Sequence, residues 1–166
     1  MAQIYISLGS NIERHQHITA GLDALEQAFS TIQISSVYES EAVGFAGSHF
    51  YNLVAAASTS MSAEQVVQVL KQIEDNNGRV RGGKKFSPRT LDLDLLLYDD
   101  LVCEQPVQLP RNEILFNAFV LLPLAEIAAD SIHPIKQVNY ATLWQQYDKS
   151  QQNLWPVEFK WTSKLS

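Results

Sequence analysis

Asp92 and Asp94 lie one residue apart, directly behind a dense run of positive charge. The stretch reads Gly78-Arg79-Val80-Arg81-Gly82-Gly83-Lys84-Lys85-Phe86-Ser87-Pro88-Arg89-Thr90-Leu91-Asp92-Leu93-Asp94, and it holds five of the chain's 12 Lys and Arg residues. The chain as a whole carries a formal charge of −6, so this is a local positive island. On a strand, residues i and i+2 point to one face. A strand here puts Asp92 and Asp94 on one face and Leu91, Leu93, Leu95 and Leu97 on the other. Two carboxylates side by side repel each other and call for a cation between them. Magnesium is the natural one, since it is held by one or two carboxylates plus substrate phosphates. The arginines of the preceding loop then face the same phosphates. Such a set suits metal-assisted phosphoryl or pyrophosphoryl transfer. A lone Asp-x-Asp is most often the wet face of an edge strand. What separates this one is that the pair, the cations and the Pro88-Arg89-Thr90 entry coincide within residues 79–94.

The elements that position this segment follow from hydrophobic periodicity. Gln3 to Leu8 is apolar and ends in Gly9-Ser10-Asn11, a strand and a turn. Ile18, Leu22, Leu25 and Phe29 recur at helical spacing, which predicts a helix from about His15 to Phe29. Ile32 to Tyr38 alternates as a second strand, Ser40 to Ser48 is a loop, and Phe50 to Thr59 reads as a third strand. Ser62 and Gln65 form a capping box. Val66, Val67, Leu70 and Ile73 then mark the apolar face of a second helix, which stops at Asn77-Gly78. Leu91 to Tyr98 is the fourth strand. The order βαββαβ is the ferredoxin-like arrangement, an α+β fold with an antiparallel sheet and helices on one face. C-terminal additions follow: a helix around Phe119 to Ala128, entered or interrupted at Pro123, and another near Tyr140 to Gln146. The tail from Gln151, with Trp155 and Trp161, is expected to pack back onto the body.

Bulk properties narrow the function classes. A chain of 166 residues with 46% apolar content suits a single domain, residues 1–166, with its own core. One cysteine, Cys103, forms no intrachain disulfide and fits a reducing compartment such as the cytoplasm. No His or Cys spacing suggests a metal site. The first residues lack a basic region and an apolar core, so no signal peptide is expected. No apolar run is long enough for a membrane span. The acidic balance argues against a general nucleic-acid coat while leaving room for a local anion site.

The motifs resemble one known family. Arg79-Val80-Arg81 through Pro88-Arg89-Thr90-Leu91-Asp92-Leu93-Asp94 looks like the signature of 6-hydroxymethyl-7,8-dihydropterin pyrophosphokinases. Leu8-Gly9-Ser10-Asn11, the loop Tyr38 to Gly44, Phe50-Tyr51-Asn52 and Phe119-Val120-Leu121-Leu122-Pro123-Leu124 are similar to it too. The resemblance implies a ferredoxin-like enzyme that moves pyrophosphate from ATP, as co-substrate, to the pterin hydroxymethyl group, releasing AMP in folate biosynthesis. It implies that Asp92 and Asp94 bind two magnesium ions and that Asp92 also faces the pterin. Arg79 and Arg89 match positions that hold the transferring phosphates. Arg81 matches the loop that closes over the site, where Gly82-Gly83 allow movement, and Lys85 joins the nucleotide contacts. Glu74 matches a nucleotide contact on the second helix. Asn52 matches the side chain that reads the pterin edge. Phe119 and Phe50 match the aromatics that sandwich the ring. Ser40, Ala42 and Val43 match mainly backbone contacts to it.

The sequence also departs from the family pattern. Where a His and, six residues later, an Arg are common before the stacking Phe, this chain has Arg111 and Asn117. Ser87 replaces a Gly, and Glu41 and Ala42 replace prolines of the pterin loop. Arg111 is read as a replacement for lost positive charge toward the nucleotide. A divergent pterin-binding relative with altered substrate or weakened ATP use stays open. An RNA-binding ferredoxin-like module is the reading from another class, but Asp92 and Asp94 on the fourth strand would repel its phosphates. The expected partners are small molecules, with no nucleic acid and no membrane.

Overall fold

The computed structural model describes residues 1–41, 49–78, 91–150 and 152–165. Among them run β1 (Ala2–Ser10), α1 (Arg14–Phe29), β2 (Gln33–Ile34), β3 (Val37–Ser40), β4 (Phe50–Thr59), α2 (Ala63–Asn76) and β5 (Asp92–Tyr98). The C-terminal part adds α3 (Glu113–Phe116), α4 (Ala118–Ile127), α5 (Tyr140–Gln146) and β6 (Leu154–Val157). The strands form one antiparallel sheet in the order β5-β1-β4-β3-β6, with β2 also pairing β4. The expected ferredoxin-like α+β arrangement is therefore present, with β1 between β4 and β5.

The first face of the sheet is sealed by α1 and α2. Ile18, Leu22, Leu25 and Phe29 of α1 and Val66, Val67, Leu70 and Ile73 of α2 meet Ile4, Ile6 and Leu8 of β1 and Leu91, Leu93 and Leu95 at β5. Gly21 lets α1 lie close to the sheet: a Cβ there would come within 3.2 Å of Leu91 and 3.3 Å of Leu8. The capping box at α2 forms as read, with the Gln65 N–H donating to Ser62 Oγ at 3.2 Å and the Ser62 N–H to Gln65 Oε1 at 2.9 Å. The C-terminal additions cover much of the other face. Val54, Leu96, Leu97, Ile114, Val120, Leu121, Leu124 and Tyr140 form a second buried cluster there.

Several expectations need correction. Leu97 does not share a face with Leu91, Leu93 and Leu95. Ile6 pairs with Leu95 but Tyr5 pairs with Leu97, so Leu96 is an extra residue in a bulge. Such an insertion reverses the inward–outward alternation beyond it, and Leu96 and Leu97 both join the second cluster. The second strand is broken in two at Ser35. Its N–H donates to the Val54 carbonyl at 2.9 Å, but the Val54 N–H donates back to the Ser35 hydroxyl at 3.0 Å. A side chain thus replaces a backbone acceptor and interrupts the ladder. Pro123 lies inside α4 and does not open it. The tail packs back on the body, as expected, and does so as a strand: β6 extends the sheet beside β3.

Candidate active site

Strand register builds the site. In one cross-strand row, Asp92 of β5 sits opposite Gly9 of β1, Gly9 opposite Asn52 of β4, and Asn52 opposite Tyr38 of β3. In the next row, Asp94 faces Ser7, and Ser7 faces Val54. Directly opposed residues share a face. The neighbours Leu8, Leu53 and Leu93 all enter the first core, so Asp92, Asp94, Gly9 and Asn52 project to the opposite side. Phe50 lies two residues before Asn52 and Ser40 two after Tyr38, so they join the same face. With strands about 4.8 Å apart, Asp92 and Asn52 are roughly 10 Å apart across Gly9.

Gly9 matters because it is empty. A Cβ there would come within 3.0 Å of Asn52 Oδ1 and 3.9 Å of the Phe50 ring. Asn52 is buried, and its Nδ2 donates to the buried Ser40 hydroxyl at 2.9 Å. That bond fixes the amide and leaves Oδ1 aimed over Gly9, toward the middle of the row.

Phe119 is set by its helix. The Glu126 carboxylate, two turns on, clamps α4 to the sheet. One oxygen accepts from the Tyr38 hydroxyl at 2.8 Å, and the other from the Ser36 N–H at 2.8 Å and its hydroxyl at 3.0 Å. Burial and the Glu126 charge push the Tyr38 hydroxyl up to about 12, so it stays a donor. At the other end of α4, the Ala118 N–H donates to Gln152 Oε1 at 2.8 Å. Phe119 packs half-buried against the second cluster.

At the acidic end of the row the carboxylates repel one another. Burial pushes the Asp94 carboxyl up to about 7; Asp92 adds to the push, Arg111 opposes it, and Glu113 and Glu74 add smaller increments. Arg111 Nη2 lies 3.5 Å from Asp94 Oδ1 and 2.8 Å from Glu113 Oε1. Burial works against the Arg111 charge, but Asp94 and Glu113 outweigh it and raise its pKa. Glu74 is buried on α2, and its Oε2 accepts the Leu93 N–H at 2.8 Å. It thereby covers a donor on edge strand β5, between the two aspartates. Asp92, Asp94, Glu74, Lys71 and Arg111 line a cleft of about 160 Å³. Among the described residues, no three His, Cys, Asp or Glu side chains cluster as a self-sufficient metal site. Two carboxylates close enough for Asp92 to raise the Asp94 pKa do fit a hard divalent cation that completes its shell with substrate oxygens.

The family of pyrophosphokinases acting on 7,8-dihydro-6-hydroxymethylpterin (HPPK) has a model that matches residues 5–129. The chain belongs to this family. Among its HPPK relatives, the pyrophosphokinase of Aquifex aeolicus is 36% identical over 138 residues, covering 81% of this chain and 86% of the relative. The enzyme of Pseudomonas aeruginosa is 38% identical over 133 residues, covering 77% of this chain and 82% of the relative. In fold, the chain is similar to the Plasmodium falciparum HPPK-DHPS protein, with a TM-score of 0.69 at 13% identity over 89% of this chain. It spans 44% of that longer protein.

Of the residues expected at an HPPK site, the structure brings Ser40, Phe50, Asn52, Asp92 and Asp94 to one sheet face, with Phe119 on the helix that packs there. Glu74 and Arg111 join the two aspartates at the cleft. Ala42, Val43, Arg79, Arg81, Lys85 and Arg89 lie outside the described residues, as does the Gly82-Gly83 segment. Two residues were not singled out by their spacing or type. Glu113 holds Arg111, and its only signal was a position two residues on. In sequence Gly9 reads as part of a turn, whereas in the fold it lies at the end of β1 and leaves room beside Asn52. A further cluster ties α1 to β3 and to the start of β4. The Arg14 guanidinium lies 3.4 Å from Glu39 and 4.0 Å over the Tyr51 ring, and His49 Nδ1 lies 2.9 Å from Glu39.

Proposed function

We propose that the chain transfers pyrophosphate from ATP to the hydroxymethyl group of 6-hydroxymethyl-7,8-dihydropterin and releases AMP, as a step in folate biosynthesis. The observation that carries this is the row Asp92–Gly9–Asn52, which sets an acidic cleft and a fixed amide oxygen side by side on one face, with no side chain between them.

The pterin lies over Gly9. The Asn52 Oδ1 accepts from its ring N–H groups, and Ser40 holds the amide in that orientation. Phe50 and Phe119 supply aromatic faces for the flat heterocycle. Ala42 and Val43 add backbone contacts. The hydroxymethyl group then points along the row toward Asp92. Its oxygen bonds to the β-phosphorus of ATP as the bond from that phosphorus to the α–β bridging oxygen breaks. The bridging oxygen leaves with AMP, and the hydroxyl gives up its proton to solvent.

Little covalent chemistry falls to the protein, so positioning and charge carry the rate. Arg79 and Arg89 hold the transferring phosphates, Arg81 and Lys85 add charge toward the triphosphate, and Glu74 and Arg111 border the nucleotide. Asp92 and Asp94 would hold two magnesium ions, which would supply positive charge against the charge developing on the phosphate oxygens. The half-buried single cysteine fits a cytoplasmic enzyme. Among the described residues no helix is long and apolar enough to cross a membrane. The substrates are small molecules, and nucleic acid is no partner.

The test is AMP formation with ATP, magnesium and the reduced hydroxymethylpterin. AMP is expected only when all three are present, and not with Asp92→Ala or Asp94→Ala. AMP formation independent of the pterin, or full activity in both variants, overturns the reading.

A further inference from the structure

Arg111 and Glu113 are arranged in a way that the transfer reaction does not itself require. Both strong contacts of the guanidinium go to one oxygen: Nη2 lies 2.8 Å and Nε 2.9 Å from Glu113 Oε1. Its contact with Asp94 is 3.5 Å, beyond a good hydrogen bond and held mainly by charge. Glu113 is itself pinned. Its Oε2 accepts from Asn117 Nδ2 at 3.1 Å, and Asn117 Oδ1 accepts from Gln152 Nε2 at 3.2 Å. The Arg111 backbone is fixed too, since its N–H donates to the Leu96 carbonyl of β5 at 3.0 Å. The two family departures thus meet on a single carboxylate, with Arg111 on one oxygen and Asn117 on the other. A neutral Asn at 117 leaves Glu113 free to hold a cation, which an Arg there would contest.

We propose that the Arg111 guanidinium is a built-in counter-ion for Asp94, displaced when a divalent metal arrives, and that Glu113 is the positioning residue on which it stays anchored. This rests on the reading of Asp92 and Asp94 as metal ligands. The long Asp94 contact breaks without loss of the two short bonds to Glu113, so displacement needs no rearrangement of the backbone. The consequence is that metal without nucleotide binds weakly, because it replaces a charge partner already in place. Metal carried by a triphosphate brings negative charge that the freed guanidinium can meet. Metal therefore enters mainly with the nucleotide.

The test is a titration of the full chain with Mn²⁺ alone, at fixed pH and without nucleotide, with free Mn²⁺ read by electron paramagnetic resonance. Arg111→Gln is expected to tighten Mn²⁺ by about tenfold, the scale of one charge-assisted contact. Lys71→Gln removes a like charge from the same cleft and is expected to stay within about twofold. Glu113→Gln is expected to weaken Mn²⁺, because Arg111 then turns fully onto Asp94. An unchanged affinity in Arg111→Gln, equal tightening in Lys71→Gln, or tighter binding in Glu113→Gln overturns the proposal. Asp94→Asn separates the levels. If it abolishes Mn²⁺ binding while Arg111→Gln has no effect, only the counter-ion proposal fails. If it binds Mn²⁺ like the wild type, the metal assignment fails with it.

Discussion

Replacing Asp94 with Asn should cost the enzyme its activity and make the metal-free protein more stable above neutral pH. The Asp94 carboxyl is pushed up to about 7 from an ordinary value of 3.8 by burial and by Asp92. In the folded chain it keeps its proton to near neutrality, whereas in the unfolded chain it loses it near pH 4. Between those limits the folded state binds more protons, so stability falls as pH rises and stays low above pH 7. A rise of that size corresponds to about 4 kcal/mol. A quarter of the side chain remains exposed, and screening there reduces the usable figure to about 2 kcal/mol. The substituted amide is neutral at every pH, fills nearly the same volume as the carboxyl, and leaves Arg111 on Glu113. The assay is urea unfolding of EDTA-treated wild type and Asp94→Asn at pH 5 and pH 8. At pH 5 the two should agree closely. At pH 8 the variant should be more stable by about 2 kcal/mol, or about 4–8 °C in Tm for a chain of this size. Titrating groups that do not interact with Asp94 cancel in the difference. Equal pH dependence in both proteins would refute the reasoning, because Asp94 would then carry no excess charge cost.

Three other predictions follow from particular contacts. Gly9→Ala places a methyl 3.0 Å from Asn52 Oδ1, so KM for the pterin should rise at least about tenfold while KM for ATP changes little; equal effects on both would argue that the strand itself is distorted. Asn117→Arg keeps Arg111 and adds a second positive charge beside the nucleotide, so ATP should bind about tenfold more tightly while pterin affinity stays nearly unchanged, as read by calorimetry; unchanged ATP binding would place position 117 away from the nucleotide. His133 is buried, and its Nδ1 accepts from the Ile135 and Lys136 N–H groups at 3.2 and 3.0 Å. Burial and then Lys136 lower its pKa, so its contribution is complete above about pH 6.5 and is lost as pH falls through the lower folded value. His133→Asn keeps an acceptor that does not titrate and should lose less stability between pH 7.5 and 5; identical losses would assign the acid sensitivity elsewhere.

The parts of this fold that were legible in the sequence are those where one residue type repeats at one period. Ile18, Leu22, Leu25 and Phe29 announced α1, and Ser62 with Gln65 announced the start of α2. Leu91, Leu93 and Leu95 announced the inner face of β5 and so placed both aspartates on the outer one. Leu97 misled because Leu95, Leu96 and Leu97 are identical side chains, and nothing in their order marks which is the extra residue of the bulge. Ser35 misled because a hydroxyl that replaces a carbonyl in a ladder looks like any polar residue in an alternating strand. β6 was hidden by its short length and by Pro156, which an outer edge strand tolerates because its unpaired side needs no N–H. At the site, the Asp pair and Asn52 were legible by type and motif. Glu113 was not, because its role depends on where Arg111 and Asn117 meet it in space.

The most direct measurement of the central claim follows the label in a single turnover with ATP carrying ³²P at the β-phosphorus, magnesium and 6-hydroxymethyl-7,8-dihydropterin. Pyrophosphoryl transfer at the Asp92–Gly9–Asn52 row predicts that all the reacted label appears in the pterin product and that the AMP released is unlabelled. Label retained in ADP, or no labelled pterin, would contradict it.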